Sequence, residues 1–356
     1  ELYIRLKPVG GFGDSENPFS TVIIDNDGTD AITGTVGYIE EDFAFLNVMA
    51  DLTGGDGNDL ALNFVPIPVG DPNVMNGCSP AAANNVVVVC RGTIVAETGD
   101  NGYGNTDFRG VNLTVESGAT VSPVNAGEGI SLGDYADVTI EQGGLVNQGI
   151  SIYGSAVQID VAGRIFSDQI EDLFVEPAGI SIRDDSRTVV GDDPIKLIIR
   201  PTGEIETTAE SAHAIDLFQR PLREGGSSLE PKNAFITADG TLQTTGGGAS
   251  GIFARMGVSS LTTLNIDIGG SIETSGDLSH GVHVEKNRVF STDIPPVDHP
   301  PLDVLNLNIA GSIATSGLTS DGIVLDLSRN DITASVTVAE GGEVSATGTD
   351  SNGITL

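Results

Sequence analysis

Few residues in this chain have a wide chemical repertoire. His280, His283 and Glu285 form a His-x-x-His-x-Glu run. On a helix, positions three apart share a face, and two imidazoles with a carboxylate could hold a metal ion there. Val282 and Val284 alternate with these residues, so the segment reads instead as a strand. That puts His280 at a corner beside Gly281 and His283 on the face opposite the valines, an arrangement that does not call for metal. Gly54-Gly55-Asp56-Gly57-Asn58-Asp59 matches the first six positions of a calcium-binding nonapeptide in which carboxylates and turn carbonyls supply the oxygens. The match is single, Ala61 stands where a large apolar residue belongs, and a strand-connecting turn ahead of Leu60 and Leu62 is the simpler reading. The acidic pairs Asp184-Asp185 and Asp192-Asp193 fall in one loop. Asp56, Asp59, Asp184 and Asp185 are therefore the candidate calcium ligands, and no other cofactor is expected.

Cys78 and Cys90 are the only cysteines. With no His or third Cys nearby, zinc is excluded, and a disulfide closing a short loop is expected if the protein is exported. No Gly-x-Ser-x-Gly element with a His partner and no phosphate loop occurs.

These residues sit in a chain of 356, with 16 Lys plus Arg against 50 Asp plus Glu and a formal charge of −34. Surfaces for phosphates or anionic lipid draw their affinity from Lys and Arg, so nucleic acid and anionic membranes are poor partners. No run of 18 apolar residues exists to form a transmembrane helix. Aromatics make up only 5%, Trp is absent and Gly numbers 47, which points to many short strands of small branched residues.

From about residue 110 the chain stacks on itself. Strand-plus-glycine segments end at Gly118, Gly144, Gly163, Gly203, Gly240, Gly270, Gly311 and Gly342. Each is followed by a second small residue and an aliphatic, as in Ala214-Ile215, Gly251-Ile252, Gly281-Val282 and Gly322-Ile323. In six of the eight turns the two small residues lie 11 apart (118→129, 203→214, 240→251, 270→281, 311→322, 342→353). Apolar residues alternate with strand period, as at Leu264, Ile266 and Ile268. One such turn cannot bury its own apolar face, so each must stack on the next. The expected fold is all-β: a right-handed parallel β-helix of about eight coils, with aliphatics such as Ile215, Ile252, Val282 and Ile323 in one internal column.

The exceptions are a shortened turn (144→149) and a lengthened one (163→179), and length variation falls mostly on the other arc. Excursions at Arg183–Ile195, Gln219–Lys232 and Lys286–Leu302, with a smaller one near Ala254–Thr262, carry Arg183, Arg187, Arg220, Arg223, Lys232, Arg255, Lys286 and Arg288, half of the chain's 16 cations. Insertions on one face are where a solenoid usually builds a recognition surface. They form the expected binding ledge, with solvated decoration as the simpler alternative. Many β-solenoids cleave acidic polysaccharides, using clustered carboxylates with an Arg or Lys base, or paired carboxylates. The regular strands here offer few outward Asp or Arg in adjacent turns, so a lyase or hydrolase is the second choice.

Residues 1–77 lack the 11-residue spacing, and no Lys or Arg occurs between Lys7 and Arg91. Ile32–Val36 (Ile-Thr-Gly-Thr-Val), Phe43-Ala44-Phe45-Leu46 and Asn58-Asp59-Leu60-Ala61-Leu62 together resemble the end of a bacterial autotransporter passenger domain. The cysteine pair followed by Arg91-Gly92-Thr93-Ile94 is similar to the start of such passengers, and the Gly-x-Ile repeats to their bodies. In that family the end segment stabilises the β-helix; here it precedes the solenoid, which suggests passenger-like modules in tandem and an excerpt from a longer protein. The organisation expected is therefore 1–77 as a strand-rich passenger-end-like segment, 78–109 as a Cys-bridged connector or start of the solenoid and 110–356 as a β-helix open at its last coil. The resemblance implies a non-enzymatic structural or adhesive protein, extracellular or on the outer-membrane surface of a Gram-negative bacterium. Its partners would be a host or cell-surface ligand, or further copies joined end to end.

Overall fold

The structure is a computed structural model and describes residues 2–6, 19–24, 36–41, 46–54, 59–66, 73–124, 127–168, 178–184, 194–219, 232–256, 262–286, 303–327 and 332–356. Among these residues every regular element is a strand. The chain divides into two units, Glu1–Val69 and Gly70–Leu356.

In the first unit, Leu2–Leu6 runs parallel to Val36–Glu41, and Asp59–Pro66 pairs antiparallel with both Phe19–Ile24 and Leu46–Gly54. Antiparallel neighbours explain why the 11-residue spacing is missing here. Gly54 and Asp59 pair where Leu46–Gly54 and Asp59–Pro66 run antiparallel, and Leu60 and Leu62 are buried just after Asp59. Asp56 lies outside the described residues.

The second unit is a parallel β-solenoid of three sheets. Along each coil the chain passes through a first sheet of ten strands, a second of nine and a third of eight. First-sheet stacking begins earlier than residue 110: Val86–Arg91 pairs parallel with Val111–Val115, and Gly77–Ser79 pairs antiparallel on its other side. Cys78 faces Cys90 in that antiparallel pair, and the two are joined by a disulfide.

Alternation drives one face of every strand inward. In the first sheet Val138, Ile159, Leu197, Ile236, Ile266 and Leu307 are in register and buried. The second sheet stacks Ile165, Ile205, Leu242, Ile272 and Ile313 in the same way. In the third, Ile215, Ile252, Val282 and Ile323 form the expected column, each fully shielded from solvent. Burying each such side chain contributes about 1.5–3 kcal/mol.

The constant spacing spans the corner between the second and third sheets. The Thr207, Thr274 and Thr315 hydroxyls each donate to the carbonyl five residues on, at Ala212, Ser279 and Ser320. The Ser279, Ser320 and Ser351 hydroxyls donate to carbonyls of the preceding coil, at Gly246, Gly276 and Gly317. One residue per coil takes a left-handed backbone there: Ser211, Gly248, Leu278, Thr319 and Asp350. In these coils the buried polar groups are paired within and between coils, whereas in the coil of Ser167, whose hydroxyl has no partner among the described residues, the third-sheet strand begins only at Ala178. Coil length varies at the corner between the third and first sheets. Strands end there at Asp184, Gln219, Met256 and Lys286, and the next described strands begin at Ile195, Lys232, Thr262 and Asp303.

Candidate functional site

The excursions leave from the third sheet, and its outward face differs from the other two. Four residues after the second small residue of each coil, an outward column runs Tyr153, Arg183, Phe218, Arg255, Glu285, Asp326 in register. Rings and guanidinium groups alternate through its first four members. Arg183 lies over the Tyr153 ring at 5.7 Å, and Arg255 lies 4.9 Å from both Phe218 and Phe253. Such contacts contribute roughly 0.5–2 kcal/mol each and hold a guanidinium plane in place. Arg255 is fixed further by Asp216, whose carboxylate oxygens lie 3.1 and 3.2 Å from Nη2. Asp216 is wholly buried, so this ion pair is formed away from water.

A neighbouring outward column runs Ser181, Asp216, Phe253, His283, Val324. Rings continue along it and beside it: His213 to Phe253 at 4.5 Å, Phe253 to His283 at 4.9 Å, and His283 to His280 at 5.3 Å. Three of the chain's four histidines thus share one strip. Burial is the main reason the His280 and His283 imidazoles resist protonation. His283 is pushed down to about 4 by burial and then by His280, with Asp326 opposing, and His280 is lowered by burial against the pull of Asp321. Near the first coils, burial pushes Glu128 up to about 7, with the Arg183 charge opposing. The buried Ser181 hydroxyl has no hydrogen-bond partner among the described residues.

Of the residues expected from sequence, Arg183 and Asp184 end one third-sheet strand and Lys286 ends another. They belong to strands, where the spacing had put Arg183, Arg255 and Lys286 in excursions, because interstrand pairing continues up to Asp184, Phe218 and Lys286. Lys286 is buried at the root of an excursion, as is Asp184, so these two stand beneath a ledge and Arg183 stands on it. Lys232 opens a first-sheet strand. Arg187, Arg220, Arg223, Arg288 and Asp185 lie outside the described residues. Among those described, no group of three or more His, Cys, Asp or Glu is placed to hold a metal ion.

Tyr153, Phe218, Phe253, His213 and Asp216 were not singled out from sequence. For the first column the signal was present in the offset: Tyr153, Arg183, Phe218 and Arg255 each fall four residues after Gly149, Gly179, Ala214 and Gly251. No described helix is long and apolar enough to cross a membrane. No protein-family model, curated protein or solved structure matches this chain, so its grouping rests on the parallel β-solenoid fold alone.

Proposed function

We propose that this protein is a non-enzymatic, structural or adhesive solenoid of the cell exterior that engages its partner through the outward face of the third sheet. The observation that carries this reading is the Tyr153–Arg183–Phe218–Arg255 column, which stands on the sheet from which most of the long excursions leave. The ring and guanidinium edges form a rigid strip whose donors suit hydroxyl-rich ligands, and a charge of −34 disfavours polyanions. An uncharged glycan is therefore the ligand class that fits. The Cys78–Cys90 disulfide supports an oxidising compartment, in keeping with the resemblance to autotransporter passengers.

The test is binding of the whole protein to cellohexaose and soluble starch, with polygalacturonate alongside. Saturable binding to a neutral glycan is expected, weakened at least about tenfold by Arg183→Gln combined with Phe218→Ala, the loss of roughly 1.4 kcal/mol or more. Binding unchanged in that double variant would move the site elsewhere. Unsaturated products from polygalacturonate would replace this reading with the polysaccharide-degrading one.

End-to-end association of copies belongs to the same proposal. At the last coil Leu325, Val336, Val338, Ile354 and Leu356 line an apolar depression of about 740 Å³, and Val338, Ile354 and Leu356 are exposed. Light scattering should show species larger than the monomer once moderate salt screens the acidic surface. A strict monomer at high concentration would remove this part.

A further inference from the structure

The third-sheet strip contains a hydrogen-bonding device that depends on uncharged imidazole. One residue before the second small residue of each coil stands His213, Ser250, His280, Asp321 and Asn352 in turn. The Ser250 N–H donates to His213 Nδ1 at 2.9 Å, and the Asp321 N–H donates to His280 Nδ1 at 3.1 Å. The Asn352 N–H donates to Asp321 Oδ1 at 2.6 Å. Three times, then, a side-chain acceptor of one coil receives the backbone N–H of the same position in the next.

An imidazole can accept at Nδ1 only while its proton sits on Nε2. A second proton would set N–H against N–H across the coil boundary, losing the bond and opposing two donors. His283 belongs to the same ring line, lying against Phe253 and in register with Val324. A charge there would enter an apolar stack close to Arg255, which already covers Phe253.

We propose that acid opens this seam, so that the recognition face is ordered at neutral pH and released as its histidines protonate. The inference concerns the regulation of the face described under the proposed function and rests on that reading for its consequence, though not for its chemistry. The His213 bond ties strand His213–Gln219 to Ile252–Met256, the Phe253–His283 contact ties that strand to Val282–Lys286, and the His280 bond ties Val282–Lys286 to Ile323–Asp326, so loosening the seam separates Asp216 from Phe253 and Arg255.

Among the described residues, the charged or titratable groups around the imidazoles are few. His280 meets Asp321 and His283. His283 meets His280 and Asp326, with Glu285 two residues on and Arg255 in register with it. Asp216 and Arg255 stand by the Phe253 ring that His213 touches. Asp321 is no ready counter-ion: Oδ1 is held by the Asn352 N–H and Oδ2 by the Thr355 hydroxyl. Burial works to raise Asp321, but those hydrogen bonds outweigh it and keep its carboxyl below the usual range.

The direction follows from the lowered imidazoles. A His whose folded value lies below its unfolded one stabilises fully above the unfolded value and loses that stabilisation as pH falls toward the folded one. For His283 the window runs from 6.5 down to about 4.

The test compares the full-length protein with a variant combining His213→Asn, His280→Asn and His283→Phe. An Asn Oδ1 lies as many bonds from the backbone as the imidazole Nδ1, and Asp321 already serves this position through its Oδ1. Hydrogen exchange, corrected for intrinsic rates, is measured at pH 7.5 and 5.0. In the parent, protection of residues 213–219, 252–256 and 282–286 should fall at least about tenfold on acidification. First-sheet residues 264–268 and 305–309 should hold, and the variant should show no third-sheet loss. Equal loss in parent and variant, or no loss in the parent, overturns the proposal.

If the variant is poorly folded at pH 7.5, nitrogen-15 spectra of the parent histidines decide. Nδ1-protonated tautomers, or titration near the ordinary value, would refute the seam. Neither readout uses a ligand, so an acid-opened seam with glycan binding indifferent to Arg183 and Phe218 would sink the assigned face and leave the seam standing.

Discussion

Ile323→Asp is expected to unfold the last coils, while Val324→Asp, one residue away, leaves the protein close to its parent stability. Ile323 is wholly buried between Val282 and Ile354 in the third-sheet column. The substitution removes aliphatic contacts and places an unpaired carboxylate in a dry core, a cost of about 4 kcal/mol or more. Val324 faces outward in register with His283, and a carboxylate there should change stability by less than about 1 kcal/mol. In a solenoid each coil contacts only its neighbours, so the damage should be local. Hydrogen exchange from residue 282 onward should lose protection in Ile323→Asp while coils near residue 140 keep theirs. Val324→Asp proving the damaging variant and Ile323→Asp the mild one would mean the register is shifted by one residue, because such a shift exchanges the two faces.

The inward columns were legible in the sequence because they repeat one chemistry. Ile215, Ile252, Val282 and Ile323 are all aliphatic, and a glycine or alanine precedes each of them. The outward ledge was harder to see because its column changes chemistry at every coil, from Tyr153 to Arg183 to Phe218 to Arg255. Only the stacking register makes those residues neighbours. The His280-x-x-His283 run was correctly read as a strand with His283 outward, but neither His213 nor the backbone N–H groups that His213 and His280 accept could be placed from spacing. The 11-residue arc was visible as a number, and in the coils of Thr207, Thr274 and Thr315 it coincides with a hydrogen-bonded threonine and serine corner that spacing does not reveal.

Gly311→Val should be about as damaging, for a different reason. Gly203, Gly240, Gly270 and Gly311 stack where the first sheet turns into the second, and a Cβ on Gly311 would overlap the Gly270 carbonyl oxygen. The obstacle is backbone of the adjacent coil, itself engaged by the Ser312 N–H, so it cannot swing away as a side chain would. Forcing the coils apart should cost about 3–4 kcal/mol, near the upper end for single substitutions. Gly341→Ala is the matched control: its backbone is left-handed, but nothing lies near the position a Cβ would take. That change should cost about 1 kcal/mol from backbone strain alone. Thermal melts of the two proteins separate crowding from strain, and equal losses would show that the coils are not in contact at Gly311.

Because the three inward columns have nearly the same cross-section from one coil to the next, the number of coils is a quantity the molecule can change without redesigning its interior. Each added coil lengthens the axis by about 4.8 Å and offers one more outward position on each face. Reach and recognition are therefore separable properties in this architecture. A lineage could tune the length of the strip by duplicating whole coils, and tune what the strip contacts by editing single outward residues, with neither change disturbing the other.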